Sequence, residues 1–224
     1  YTILGTSFEA IDISEDRERF QKLIQKVGLK QPKSDISLGT KELVTKSSKL
    51  KFPILLRPSY VLGGRMMEKM ANIDDVQDYI DQNYWALENN VILIDEFLQN
   101  AKEVDVDVLR DNQGNTMIAG IMEHIEEAGI HSGDSACSIP PFSLSDKIIS
   151  DIKKFSISLV SELKILGLMN IQYAIKDEEI FILEANPRAS RTIPFLAKAI
   201  GIPFIKIAAE LIVGKTLTED HQNF

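Results

Sequence analysis

The chain has 224 residues, 44% of them hydrophobic, 26% charged and 7% aromatic, with 12 glycines. That make-up suits a soluble globular protein with one large core or two lobes, and excludes a disordered or fibrous chain. A formal net charge of −8 argues against a nucleic-acid backbone as the main partner, yet leaves room for a small anion held by a few arginines.

Cys137 is the single cysteine, which rules out an intrachain disulfide or a cysteine-cluster zinc site and suits a reducing, cytoplasmic setting. No apolar run approaches the roughly 18 residues of a membrane span, so no membrane partner is expected. No basic-then-apolar leader opens the chain. It begins at Tyr1 rather than Met and ends at Phe224 just after a helix-like segment, so a piece of a longer polypeptide is expected.

Ser14 predicts a helix cap, with Phe20, Leu23, Ile24 and Val27 on one face and Gly28 as the stop. Residues 29–48 are polar and read as a linker. KFPILLR (51–57) predicts a buried strand, followed by the turn YVLGGR. Asn72 or Asp74 opens a second amphipathic helix through Val76, Tyr79 and Ile80. VILIDEFL (91–98) predicts a buried strand, and the strict alternation of EVDVDVLRD (103–111) a half-buried one.

Gln113-Gly114-Asn115 predicts a hairpin turn into TMIAGIMEHIE. The longest helix is expected from about Ser145 to Leu166, with Gly167 as its stop. NIQYAIK and IFILEAN then form a hairpin, and two short helices, Pro194–Gly201 and Pro203–Gly214, close the chain. The fold class is α+β, as two lobes with the ligand in the cleft between them. The expected division is a connecting helical segment over 1–48, a small lobe over 49–100 and a larger lobe over 101–224.

The hairpin bears the strongest chemistry. With Asp177-Glu178-Glu179 as a three-residue loop, Gln172 lies opposite Glu184, and Asn186 shares its face by alternation. Ile171, Tyr173, Ile175, Phe181 and Leu183 then fall together as core. Two amide oxygens and one carboxylate suit Mg²⁺ or Mn²⁺ shared with phosphate oxygens. A capped strand end, with Glu184 ion-paired to Arg188, accounts for the same pattern.

Three other segments carry polar groups. Gly63-Gly64, flanked by Arg57 and Arg65, lets backbone N–H groups approach a polyphosphate, and equally makes an ordinary turn. The stretch 123–140, EHIEEAGIHSGDSACSIP, is too polar for core; His131 reads as a structural or ligand-facing group and Cys137 as packing rather than nucleophile. Glu96 and Glu103 can grip ribose hydroxyls and adenine, or form a solvated acidic rim.

Taken together, RERF, RPSYVLGGR, DEFL, EVDVD, GIMEHIEEAGIHSGDSACS, GLMNIQYAI and LEANPRASRTIPF resemble the ATP-grasp family, and more narrowly the large chain of carbamoyl-phosphate synthetase. The first of that chain's two synthetase halves typically carries a longer glycine-rich turn and GIHTGDS, so RPSYVLGGR and HSGDSACS resemble the second, carbamate-phosphorylating half. The bicarbonate-phosphorylating half, another ATP-grasp carboxylate ligase, or a nucleotide-binding fragment inactive without its neighbours are the alternatives.

The resemblance implies the cofactors ATP and Mg²⁺ or Mn²⁺. It implies ATP-phosphate contacts at Arg17 and Arg57, a lid at Gly63 and Gly64, and nucleotide contacts at Glu96, Leu98, Glu103, Gly129, Ile130, His131 and Ser132. It implies metal ligation by Gln172, Glu184 and Asn186, and phosphoryl stabilisation by Arg188 and Arg191. Relatives often have His where Glu96 stands, which a backbone contact tolerates better than a side-chain one. Implied partners are carbamate, the remaining domains of the large chain and a glutaminase small subunit.

Overall fold

Two helices lead the chain, α1 (Phe8–Glu15) and α2 (Arg17–Val27). Ser7 caps the first by accepting from the Ala10 N–H, and Asp16 caps the second by accepting from the Arg19 N–H. Ser14 is therefore no cap; it sits inside α1, where its hydroxyl donates to the Ala10 carbonyl at 2.8 Å. Gly28 ends α2 in the left-handed region, φ +79°, as its position after Val27 foretold. The computed structural model describes residues 3–58, 66–128 and 136–218.

Residues 29–48 are not a linker. They contain β1 (Ser34–Leu38) and the short helix α3 (Leu43–Ser47). After β2 (Ile54–Pro58), β3 (Glu68–Met70) and α4 (Ile73–Leu87), β4 (Val91–Glu96) completes an antiparallel sheet of order β1-β4-β2-β3. Asn72 caps α4, accepting from the N–H groups of Asp74 and Asp75. One face of this sheet buries Ile54, Leu56, Met70, Ile92 and Ile94 against Leu43, Val76, Tyr79 and Leu87. The Tyr79 hydroxyl donates to the Met66 carbonyl at 2.6 Å, and burial pushes its pKa up to about 12.

These elements form one compact unit, Pro32–Gln99; the other comprises Tyr1–Gln31 with Asn100–Phe224. The division expected at 48/49 thus lies at 31/32, because β1 hydrogen-bonds to β4 while α1 and α2 give Ala10, Phe20 and Ile24 to the core of the larger unit.

The larger unit is built on β5 (Lys102–Arg110), β6 (Thr116–Glu127), β7 (Cys137–Ser138), β8 (Gly167–Lys176) and β9 (Glu179–Asn186), antiparallel throughout in the order β7-β6-β5-β8-β9. Helix α5 (Asp146–Glu162) is capped by Ser145 and ends earlier than expected, so that Gly167 opens β8 instead of stopping the helix. Period-two alternation splits β5 between two faces. Val104, Val106 and Val108 join Ile152, Leu159, Val160, Ile171 and Tyr173 in one core.

The opposite face is apolar only at one end. There Leu109, Met117 and Leu168 pack under α6 (Ile193–Ile200) and α7 (Phe204–Ile212). Gly120 permits this close seating, since a Cβ there would stand 2.6 Å from Leu196 Cδ1. Beyond the helices the same face is polar.

The segment from Glu123 is not all too polar for core. Glu123 is buried and accepts the N–H groups of Phe142 and Ser143 at 2.9 Å each, pinning the chain ahead of α5. Among the described residues, no helix is long and apolar enough to cross a membrane.

Candidate functional site

The polar half of the five-stranded sheet is where the hairpin residues meet. Gln172 and Glu184 are direct cross-strand partners, and Asn170 and Asn186 pair next to them. The register arises differently from the sequence expectation. Lys176 pairs with Glu179 around a two-residue turn, Asp177-Glu178, with φ of +50° and +60°. An irregularity between Gln172 and Tyr173 in the ladder then takes up Leu183, restoring the Gln172–Glu184 pairing. Consequently Ile180 and Ile182, not Phe181 and Leu183, complete the core with Ile171, Tyr173 and Ile175; Phe181 and Leu183 are only half-buried.

Glu184 is exposed and Gln172 half-buried, and among the described residues neither side chain has a hydrogen-bonding or ionic partner. The Glu184–Arg188 ion pair that would explain the hairpin as a capped strand end is not formed. Arg188 instead donates to the Asn186 side-chain oxygen at 3.1 Å and to the Ala189 carbonyl at 3.3 Å. Arg191 is exposed in the turn that leads into α6.

Beside this triad lies a chain of buried polar groups that sequence reasoning passed over. Asp105 is the cross-strand partner of Gln172, and Asp107 of Asn170. The Asn170 amide donates to both, at 3.3 Å to Asp105 and 3.2 Å to Asp107. His124 Nε2 lies 2.8 Å from the other Asp105 oxygen. The other Asp107 oxygen accepts from the hydroxyls of Ser190 at 2.9 Å and Thr192 at 3.1 Å. Burial raises the Asp107 pKa, and the hydrogen bonds from Ser190, Asn170 and Thr192 oppose that rise. The alternation EVDVDV held the signal, since acids on every second residue of a strand share one face. The strand expected to be half-buried is buried on both faces, with Glu103, Asp105 and Asp107 enclosed like the valines.

Glu103 belongs to the same row, buried and opposite Ala174. Cys137 pairs with His124 across β7 and β6 and is half-buried; burial, then the nearby Asp105 and Glu126, push its thiol up, which fits packing and not a thiolate.

The remaining candidates stand elsewhere. Arg17 is the first residue of α2 and is half-buried. Arg57, Glu96 and Leu98 belong to the smaller unit. There Arg57 is bonded through Nε at 2.8 Å and Nη2 at 2.5 Å to Asp95. The Glu96 carboxylate accepts the Lys51 N–H at 2.9 Å, so one of its oxygens is already engaged. Gly63, Gly64, Arg65, Gly129, Ile130, His131 and Ser132 lie outside the described residues.

A divalent ion fits the hairpin's donor set, with one unpaired carboxylate between two amides, all hard oxygens on one face. Among the described residues no group of three or more His, Cys, Asp or Glu could hold a metal. Such an ion would therefore take most of its ligands from outside the protein, as phosphate-bridging Mg²⁺ does.

Comparison with known proteins gives the family and the fold. The chain is 52% identical over 217 residues to the carbamoyl phosphate synthase large chain of Thermotoga neapolitana, and 47% over 222 residues to that of Xanthomonas axonopodis pv. citri. Each alignment covers 97% of this chain but only 20% and 21% of those relatives, so the chain spans about a fifth of their length. Among solved structures, a biotin carboxylase–β,γ-ATP complex from Campylobacter jejuni superposes with a TM-score of 0.75 at 17% identity, covering 96% of this chain and 49% of that one. The fold, two antiparallel sheets with helices, is thus the ATP-grasp fold. The family model for the ATP-binding domain of carbamoyl-phosphate synthase L chains matches residues 16–220, and the chain belongs to that family.

Proposed function

We propose that this chain is the MgATP-binding domain of a carbamoyl-phosphate synthase large chain, a ligase, and that it phosphorylates carbamate. The observation that carries the reading is the pairing of Gln172 with Glu184, with Asn186 on the same face and Arg188 bonded to it. The exposed, unpaired Glu184 carboxylate between two amides, with Arg188 and Arg191 exposed in the turn that follows, leaves one end of the hairpin open to a cation and an anion together.

In this reading Gln172, Glu184 and Asn186 would hold the divalent ion, which supplies charge neutralisation at the phosphate oxygens. Arg188 and Arg191 orient the transferred phosphoryl group and offset its charge in the transition state. Arg17 and Arg57 contact the ATP phosphates, and Glu96, Leu98 and Glu103 the nucleoside. A carbamate oxygen attacks the γ-phosphorus in line. The bond to the bridging oxygen breaks, its electron pair leaves with ADP, and no covalent enzyme intermediate forms. The rest of the large chain and a glutaminase subunit supply carbamate. The half assignment rests on RPSYVLGGR and HSGDSACS, which resemble the carbamate-phosphorylating half.

Titration calorimetry of ATP with and without Mg²⁺ tests the binding, and equal affinity without metal would sink it. In the complete large chain, Glu184→Gln is expected to lower ATP formation from carbamoyl phosphate and ADP by about 100-fold or more. If that reaction is spared while bicarbonate-dependent ATP hydrolysis is lost, the domain is the bicarbonate-phosphorylating one.

A further inference from the structure

The turn from Asn186 to α6 carries Arg188 and Arg191, yet among the described residues neither guanidinium is tied to another element; Arg188 bonds only within its own turn. Something else has to hold the turn if the arginines are to meet a phosphoryl group with sub-ångström accuracy. Among the described residues, Asp107 bonds directly to the far flank and also to Asn170, on the strand that pairs with the near flank. It is fully buried on β5, a central strand, where the register fixes its backbone between Gly120 and Asn170. One oxygen accepts from Asn170, the strand partner of Asn186, which sets the near flank. The other accepts from Ser190 and Thr192, which sets the far flank.

The far flank is itself cross-braced. The hydroxyls of Ser190 and Thr192 lie 2.8 Å apart, and the Ser190 oxygen accepts the Ile193 N–H at 3.0 Å, so the first turn of α6 starts from the same knot. Gly120 beneath it lets Leu196 seat on the sheet.

We propose that Asp107 is a positioning residue for phosphoryl transfer, clamping the far end of the segment that presents Arg188 and Arg191 directly and bracing its near end through Asn170. The inference rests on the proposed function for what the arginines act upon, but the clamp itself is a matter of geometry. It predicts a defect in turnover and not in nucleotide binding, because Asp107 touches none of Gln172, Glu184 or Asn186. It also predicts which replacement is tolerated. An asparagine at this site can accept from Asn170 through its oxygen while its amide donates to both hydroxyls, whereas an alanine can do neither.

The test measures ATP formation from carbamoyl phosphate and ADP in the complete large chain. Asp107→Ala is expected to lower kcat about 10- to 100-fold, with the KM for ADP changed less than about 3-fold. Asp107→Asn should return to within about 5-fold of the parent. The paired change Ser190→Ala with Thr192→Val should lower kcat comparably and add little on top of Asp107→Ala. It also serves if the alanine variant fails to fold.

Limited trypsinolysis gives a readout independent of activity, since Arg188 and Arg191 are both cleavage sites; cutting after them should quicken about 10-fold in Asp107→Ala at temperatures where both proteins remain folded. Unchanged kcat with unchanged cleavage overturns the clamp, and so does a KM that rises as much as kcat falls. A parent chain without ATP formation, but with quicker cleavage in the variant, overturns the proposed function while leaving the clamp standing.

Discussion

His124 shows how much of the site's order hangs on single buried contacts. Its Nε2 is 2.8 Å from Asp105, and that hydrogen bond raises the imidazole pKa above its usual value against the opposing effect of burial. The folded state therefore binds the proton more tightly than the unfolded chain, whose histidine titrates near about 6.5. The stabilisation is complete below that pH and is lost as pH climbs through the raised folded value. Denaturant midpoints should accordingly fall for the parent chain from about pH 6.5 upward, relative to His124→Gln, in which the titrating group is gone. Parallel pH profiles for the two proteins would show that the ion pair contributes nothing. Glu103 and Glu126 lie close enough to raise the His124 pKa as well, so its proton also offsets some of the like charge gathered there.

At the scale of elements, the β8–β9 hairpin shows what the sequence could and could not disclose. The partnership of Gln172 with Glu184 was legible, but through two compensating differences: a turn one residue shorter than expected, and one extra residue, Leu183, absorbed within β9. Alternation cannot see a bulge, because a bulge is a choice of backbone conformation at constant composition. The core-facing residues of β9 consequently moved by one, from Phe181 and Leu183 to Ile180 and Ile182. Asp105, Asp107 and Asn170 went unread for a related reason: their pattern marks a half-buried strand, and only the sheet order shows that its polar face adjoins the β8–β9 hairpin that bears Gln172 and Glu184.

The turn also makes a stability prediction. Glu178 is held at φ +60°, which costs a residue with a Cβ about 1 kcal/mol or more, and Asp-Gly is a favoured pair in two-residue hairpin turns. Glu178→Gly should therefore stabilise the protein by about 0.5 kcal/mol, after the extra freedom of glycine in the unfolded chain is counted. Among the described residues its only polar side-chain contact is a 3.4 Å approach to the Ser145 hydroxyl, so little is lost. A lowered urea midpoint would show that the turn is relaxed as it stands.

Over the whole molecule, the larger unit is discontinuous in sequence, and this decides which pieces can stand alone. Residues 1–31 contribute Ala10, Phe20, Ile24 and Leu29 to the core around Ile171 and Tyr173, while none of the described residues of 32–99 belongs to that core or to the one beneath α6 and α7. The three larger side chains among those four are worth about 1.5–3 kcal/mol apiece on burial. Their joint loss approaches the 5–15 kcal/mol, roughly, that separates folded from unfolded domains. The polar composition of 29–48 had pointed to a break after that stretch, but composition does not reveal that Phe20 and Ile24 share a core with a sheet that begins only at Lys102.

A chain starting at Pro32 should therefore lose cooperative thermal unfolding and expose apolar surface. A chain in which a flexible ~10-residue glycine-serine linker replaces Pro32–Gln99 should keep a single sharp transition. Near-ultraviolet circular dichroism during melting distinguishes the two, because Tyr173 in the core reports on tertiary packing. A sharp transition at the parent's midpoint in the chain starting at Pro32 would mean that α1 and α2 are accessory to that core.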